Sequence, residues 1–148
     1  MILLDTNLLT RITRSNDAQC AMARGAIQRL VARGERLIVV PQNFYEFWAV
    51  ATRKTGPPPV GLNGLGMTTV QAGQWVRFFR RRFTLLPDRD HLSDRWLALV
   101  EAHGVMGFRA HGVRLVAAMQ AYGISDLLTF NGGHFRGLPV TVLDPALV

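Results

Sequence analysis

At 148 residues the chain fits one domain with one real core, and its 49% hydrophobic content argues against disorder. No apolar run is long enough to span a membrane, and the leading apolar residues meet Asp5 with no basic segment before them, so no signal peptide is expected. Charge is more informative: 17 basic residues against 10 acidic ones leave a net charge of +7, which favours polyanionic partners, nucleic acid first among them. All the basic residues except Lys54 are arginines, which a GC-rich genome also produces, and an acidic protein would be drawn to the same surface. The single cysteine, Cys20, excludes an internal disulfide framework and fits a reducing, cytoplasmic compartment.

The first stretch, Met1 to Asn7, is a short apolar run that ends on Asp5. It reads as a strand buried on both faces of a parallel sheet. Asp5 then lies either at the floor of a site or as a cap on the next helix, with Thr6 and Asn7 also suited to capping. A short helix is expected over Asn7 to Arg14. A longer one follows over Asp17 to Ala32, capped by Ser15 or Asn16 and ended by Gly34. Leu37 to Val40 is a second strand, and Pro41 opens a helix to about Arg53, where a missing N–H costs nothing. Phe44, Phe47, Trp48 and Val50 form its apolar face, with Glu46 between the aromatics.

Thr55 to Met67 is too rich in glycine and proline for a regular element and reads as a surface loop within a single domain, residues 1–148. Thr68 or Thr69 starts a helix with Gln71 in capping-box position, ending in Arg80, Arg81 and Arg82. Phe83 to Leu86 is a short strand. Helices follow over His91 to His103 and Arg109 to Tyr122, with Gly104 and Gly107 bracketing the turn between them. Leu127 to Phe130 is a strand, Asn131 to Gly137 a loop and Val140 to Leu143 the last strand. Strands alternating with helices predict an α/β domain, a central parallel sheet with helices on both faces.

That topology gathers particular polar residues. Asp5 follows the first strand, Glu46 lies in the helix after the second, and Asn131 follows the strand at 127–130. A parallel sheet places all three at one edge. Two carboxylates with oxygen-bearing neighbours describe a hard-cation site for Mg2+ or Mn2+. Such an ion activates water and offsets charge developing on a phosphate.

On LLDTN at 3–7, Glu46 within NFYEFWAV, AHGVRLVAAMQAYGI at 110–124, LLTFN at 127–131 and VLDP at 142–145, the chain resembles the PIN-domain ribonucleases, and among them the VapC-like toxins of bacterial toxin–antitoxin pairs. The resemblance spans nearly the whole chain and rests on the order of the blocks, since LLDTN alone is a weak signal. It implies a three-layer α/β/α domain, frequent homodimerisation, Mg2+- or Mn2+-dependent RNA cleavage, and a small antitoxin that covers the site.

The family's acidic cluster is only half present. Its first aspartate falls on Asp5 and its second acid on Glu46, which the resemblance makes both catalytic and metal-binding. The third acid follows a histidine in a His-Asp-Ala-Arg-Leu pattern. Here the stretch runs His111-Gly112-Val113-Arg114-Leu115, so that position is Gly112. The fourth falls on His134, before Phe135, with Asn131 keeping the polar position three residues earlier. No other acid replaces the missing ones. Asp126 precedes its strand and belongs at the opposite edge, and Asp144 follows the last strand off to one side. Asp94 faces no identified ligand.

Histidine suits manganese or zinc better than magnesium, which makes His134 a candidate ligand. His111 is a weaker one, because consecutive helical residues point about 100 degrees apart. Asn7 is open between holding metal-bound water and capping the first helix. Arg80, Arg81 and Arg82 are open between phosphate contact, antitoxin contact and a solvated face, and Arg114 between phosphate contact and a structural ion pair. The tryptophans Trp48, Trp75 and Trp96 read as core or dimer interface. Two functions remain open at this stage. One is a metal-dependent endoribonuclease toxin with a weakened site. The other is a non-catalytic PIN module that binds RNA or an antitoxin.

Overall fold

The computed structural model describes residues 1–56 and 63–148. Its centre is β1 (Ile2–Leu4), buried on both faces as a continuous apolar run requires. The chain then runs outward in one direction, through α1 (Thr6–Ile12), α2 (Ala18–Ala32), β2 (Leu37–Val39), α3 (Pro41–Thr52), α4 (Thr69–Arg82) and β3 (Thr84–Leu85). It crosses back through α5 (Leu92–Ala102) and α6 (Arg109–Tyr122) to β4 (Asp126–Leu128), on the other side of β1. A single 3-10 turn, Gly132–Phe135, leads to β5 (Thr141–Leu143). The five strands lie in the order β3-β2-β1-β4-β5, and every neighbouring pair is parallel.

Strand geometry sends successive side chains to opposite faces, and this divides the core in two. Ile2, Leu4, Leu37, Val39 and Leu128 pack with α1 to α4, around Leu8, Leu9, Phe47 and Phe79. Leu3, Ile38, Val40 and Leu127 pack with α5 and α6, around Leu99, Leu115, Val116 and Met119. The result is a three-layer α/β/α PIN-like fold. Trp75 and Trp96 each pack against one of these cores, whereas Trp48 is more exposed. Cys20 is buried, in keeping with packing.

Local signals set most boundaries. Pro41 opens α3, and Thr68 and Gln71 form the expected capping box on α4, with the Gln71 amide donating to the Thr68 hydroxyl at 3.2 Å. One cap differs from expectation: neither Ser15 nor Asn16 caps α2. Asp17 does, its carboxylate accepting from the Gln19 amide at 2.8 Å. A carboxylate there also meets Arg11 at 3.0 Å and Arg14 at 3.7 Å, which a serine or asparagine would not attract. The strand expected at 127–130 runs instead over Asp126–Leu128, which leaves Thr129 and Phe130 past its carboxyl end.

The glycine- and proline-rich loop expected at 55–67 falls in part on 57–62, outside the described residues. Its described ends pair through a bridge between Thr55 and Asn63. Gly64 lies against the Arg53 carbonyl so closely that a Cβ there would stand 1.8 Å from the oxygen, so no other residue fits. Among the described residues no helix is long and apolar enough to cross a membrane.

Candidate functional site

Strand order decides where a site can form. The chain leaves β1 toward β2 on one side and returns to β4 on the other, so the connections diverge between β1 and β4. In open parallel sheets the crevice outside the carboxyl ends of the strands at such a point is where ligands bind. Asp5 follows β1 there, and its amide donates to the Leu128 carbonyl of β4 at 3.0 Å. Beside it opens a cleft of about 340 Å3, lined by Asp5, Asn7, Glu46, Phe108, Arg109, His111, Gly112, Leu115, Asn131, His134 and Phe135.

The Asp5 carboxylate accepts from the Thr129 hydroxyl at 2.6 Å and from the Asn7 side-chain amide at 2.8 Å. Asn7 also donates to Thr129 Oγ1 at 2.9 Å and accepts from the Phe130 amide at 3.3 Å. It thus ties the ends of β1 and β4 together and does not cap α1. Asp5 occupies the N-cap position of α1 without a capping hydrogen bond from its side chain, although the Thr6 and Asn7 amides still favour its charge. Burial is the strongest influence on this carboxyl and pushes its pKa up. The Thr129 bond opposes that push, and the nearby charge of Glu46 adds to it.

Glu46 is held from both sides, by the Thr6 hydroxyl at 2.7 Å and the Gln42 amide at 2.7 Å. Gln42, one turn earlier on α3, is buried. Its amide also donates to the His111 carbonyl at 2.8 Å, and its oxygen accepts from Arg114 at 2.9 Å. Arg114 in turn pairs with Asp88 at 2.6 Å. The ion pair, one of the two readings open for this arginine, is thus present in the structure. Asn43, fully buried, donates to the Leu4 carbonyl at 3.0 Å and to Thr6 Oγ1 at 3.2 Å, and accepts from the Val40 amide at 2.8 Å. It fastens α3 to the end of β1 and so sets Glu46 relative to Asp5.

The opposite wall comes from α6 and the 3-10 turn. Gly112 faces the Phe135 ring, where a Cβ would lie 3.2 Å from the nearest ring carbon. A Cβ at 112 would press on the ring edge, which would have to give by a few tenths of an ångström. His134 is exposed and stands edge-on to Phe108, with ring centroids 5.3 Å apart. Asn131 is exposed at the rim, and its backbone amide donates to Thr129 Oγ1 at 3.0 Å. Arg80, Arg81 and Arg82 end α4, and none of them lines the cleft.

Does this set fit a divalent cation? Among the described residues no three His, Cys, Asp or Glu side chains converge to hold one. His134 does not complete such a group with Asp5 and Glu46. The two carboxylates that remain already accept hydrogen bonds from Thr129, Asn7, Thr6 and Gln42. Two carboxylates are within what Mg2+ uses when waters and a phosphate complete its shell, but no third His, Cys, Asp or Glu side chain joins Asp5 and Glu46 among the described residues.

Sequence reasoning read Thr6 only as a cap and passed over Gln42, Asn43, Thr129, Phe108 and Arg109 as site residues. Two of them left a signal. Gln42 lies four residues before Glu46, the spacing of a helical hydrogen-bonded pair, and Asn43 is a polar residue on the same side as Phe47.

No family model matches the chain, and no curated protein does. Solved structures do. A toxin-antitoxin complex from Klebsiella pneumoniae is similar with a TM-score of 0.66 and 18% identity, over 100% of both chains. FitAB bound to an IR36 DNA fragment is similar with a TM-score of 0.69 and 18% identity, over 100% of this chain and 97% of that one. VapC20 of Mycobacterium tuberculosis, a Sarcin-Ricin loop cleaving toxin, is similar with a TM-score of 0.68 and 15% identity, over 95% and 97%. At these identities the likeness is one of fold.

Proposed function

We propose that this chain is a VapC-like PIN module that binds RNA and a small antitoxin protein, and that its reduced acidic site no longer supports efficient cleavage. The observation that carries this reading is the wall opposite Asp5 and Glu46. At the third acidic position Gly112 is covered by the Phe135 ring, and at the fourth stands His134. Loss of these carboxylates removes negative charge from the cleft and makes it less hostile to phosphate. A net charge of +7 then attracts the RNA backbone. A larger groove of about 740 Å3 shares Asn7 and Glu46 with the cleft and is lined by Arg11, Arg14 and Arg53, which gives a flanking strand a basic path. The fold likeness to a toxin-antitoxin complex supports an antitoxin partner, while pairing with a second copy of the chain rests on the sequence resemblance alone.

A second reading is residual Mg2+- or Mn2+-dependent ribonuclease activity. It is favoured by the survival of Asp5, Glu46 and Asn7 with their hydrogen-bonded support. Asp5 and Glu46 would hold the cation, His134 its outer side, and Asn131 would assist; the ion would supply an activated water and charge neutralisation. Two measurements on the purified chain separate the readings, with Asp5→Asn as the control in both. In calorimetric titration with manganese, and in a cleavage screen on structured RNAs, the first reading expects RNA binding that weakens steeply with salt, no manganese binding and no cleavage. Manganese binding and cleavage that both vanish in Asp5→Asn would overturn it in favour of the nuclease.

A further inference from the structure

Phe108 is not used by any of this, yet it is 70% exposed at the rim of the cleft. Its position is built. Gly107 takes a φ of 62°, a left-handed conformation that turns the chain into α6 and that other residues adopt at a cost. The Phe108 carbonyl then accepts from the His111 amide at 3.1 Å and fixes the backbone at the helix start. Beside it, in edge-to-face contact, His134 is held by a different device. Arg109 donates to the His134 carbonyl at 3.1 Å and to the Arg136 carbonyl at 3.0 Å, which pins the 3-10 turn to the first residue of α6. Two rings are therefore held 5.3 Å apart at 73°, with an arginine charge beside them and Asn131 on the same rim.

We propose that Phe108 and His134 form a nucleobase-stacking site at the mouth of the cleft, which takes one unstacked base of single-stranded RNA beside the charge of Arg109. The inference rests on the reading that this cleft meets RNA. Splayed bases in single-stranded RNA stack on Phe and His faces, whatever their identity, because every base presents a π face. The exposed amide of Asn131 offers a donor and an acceptor to the edge of that base. The adjoining phosphate meets Arg109 rather than the Asp5 and Glu46 carboxylates at the floor. Net positive charge and the neighbouring arginine favour a nucleic acid over a protein as the occupant.

The test is fluorescence anisotropy in EDTA, with labelled oligouridylate and with an abasic ribose-phosphate chain of equal length. Phe108→Ala should weaken oligouridylate binding by about tenfold and leave the abasic chain unaffected. Phe108→Trp should retain binding, and Phe108→Leu, apolar but without a ring, should behave like alanine. Because Phe108 is exposed, thermal melts of all variants should match the wild type. Wild-type affinity in Phe108→Ala, an equal loss on the abasic chain, or full binding by Phe108→Leu would each overturn the stacking site and leave Phe108 as a protein contact. A wild-type chain that binds neither ligand would overturn the RNA reading along with it.

Discussion

The two walls of the cleft were built by different rules. On the wall formed by β1, α1 and α3, each polar group answers another: Asp5 to Thr129 and Asn7, Glu46 to Thr6 and Gln42, and Asn43 to Leu4 and Thr6. On the wall formed by α6 and the 3-10 turn, the Phe135 ring lies against Gly112, and Phe108 and His134 are exposed. The difference teaches that the polar groups around the two carboxylates serve the fold on their own account. Thr6, Asn7, Gln42 and Asn43 are needed by the fold as much as by any reaction. Removing them would strand polar groups in the interior, where each costs on the order of 1–3 kcal/mol. Position 112 carries no such duty: it is a glycine set against the Phe135 ring, where a Cβ would lie 3.2 Å from the nearest ring carbon.

The largest test of this contrast is Asn43→Ala. It deletes three hydrogen bonds at a fully buried position and should cost about 3 kcal/mol, read as a fall in the urea midpoint. A cost below about 1 kcal/mol would show that the supporting wall is not needed by the fold. Next in size is Gly112→Asp. The new Cβ must move the Phe135 ring by a few tenths of an ångström, which should cost roughly 1 kcal/mol. The same variant should bind manganese more tightly than the wild type, seen by calorimetry. A stable Gly112→Asp without manganese affinity would show that position 112 is not where the missing carboxylate belongs.

The smallest effect is a matter of sign, and it sets two N-cap aspartates against each other. Burial raises the Asp5 pKa, so the folded chain keeps a proton that the unfolded chain releases near 3.8. The stabilisation linked to that proton is complete below 3.8 and is lost as pH rises through the raised folded value. Asp17 is half-buried, and the Gln19 amide bond, more than the arginines Arg11 and Arg14, lowers its pKa. Its contribution is present above 3.8 and is lost as pH falls through the lowered value. Urea denaturation at a series of pH values should therefore show Asp5→Asn gaining on the wild type as pH rises, and Asp17→Asn losing ground over the same rise. Parallel profiles for the two variants would show that burial of Asp5 does not govern its charge.

Much of this was legible in the residues. The apolar runs at 2–4, 37–40 and 127–130 marked buried strands, although the second ends at Val39 and the third runs over Asp126–Leu128. Pro41, the Thr68–Gln71 pair and Gly34 marked helix ends, and order along the chain put Asp5 and Glu46 at the same edge. These are short-range patterns, and period and capping carry them. The cap of α2 was misread because Ser15 and Asn16 satisfy the same local rule as Asp17. Only the ion pairs with Arg11 and Arg14 choose between them. The sequence also showed which acids were absent, since an absent side chain is visible without coordinates.

What it could not show is what took their place. That Phe135 closes over Gly112, that Gln42 joins Glu46 to Arg114, and that Phe108 stands against His134 are contacts across 23, 72 and 26 residues of chain at their widest. No local propensity encodes such distances. The sequence by itself determined the strands, the helices and the two surviving acids, because backbone sterics and hydrophobic period act between near neighbours. The tertiary structure alone decided the shape and charge of the cleft, because these depend on which side chains the closing of the sheet at β1 and β4 brings face to face.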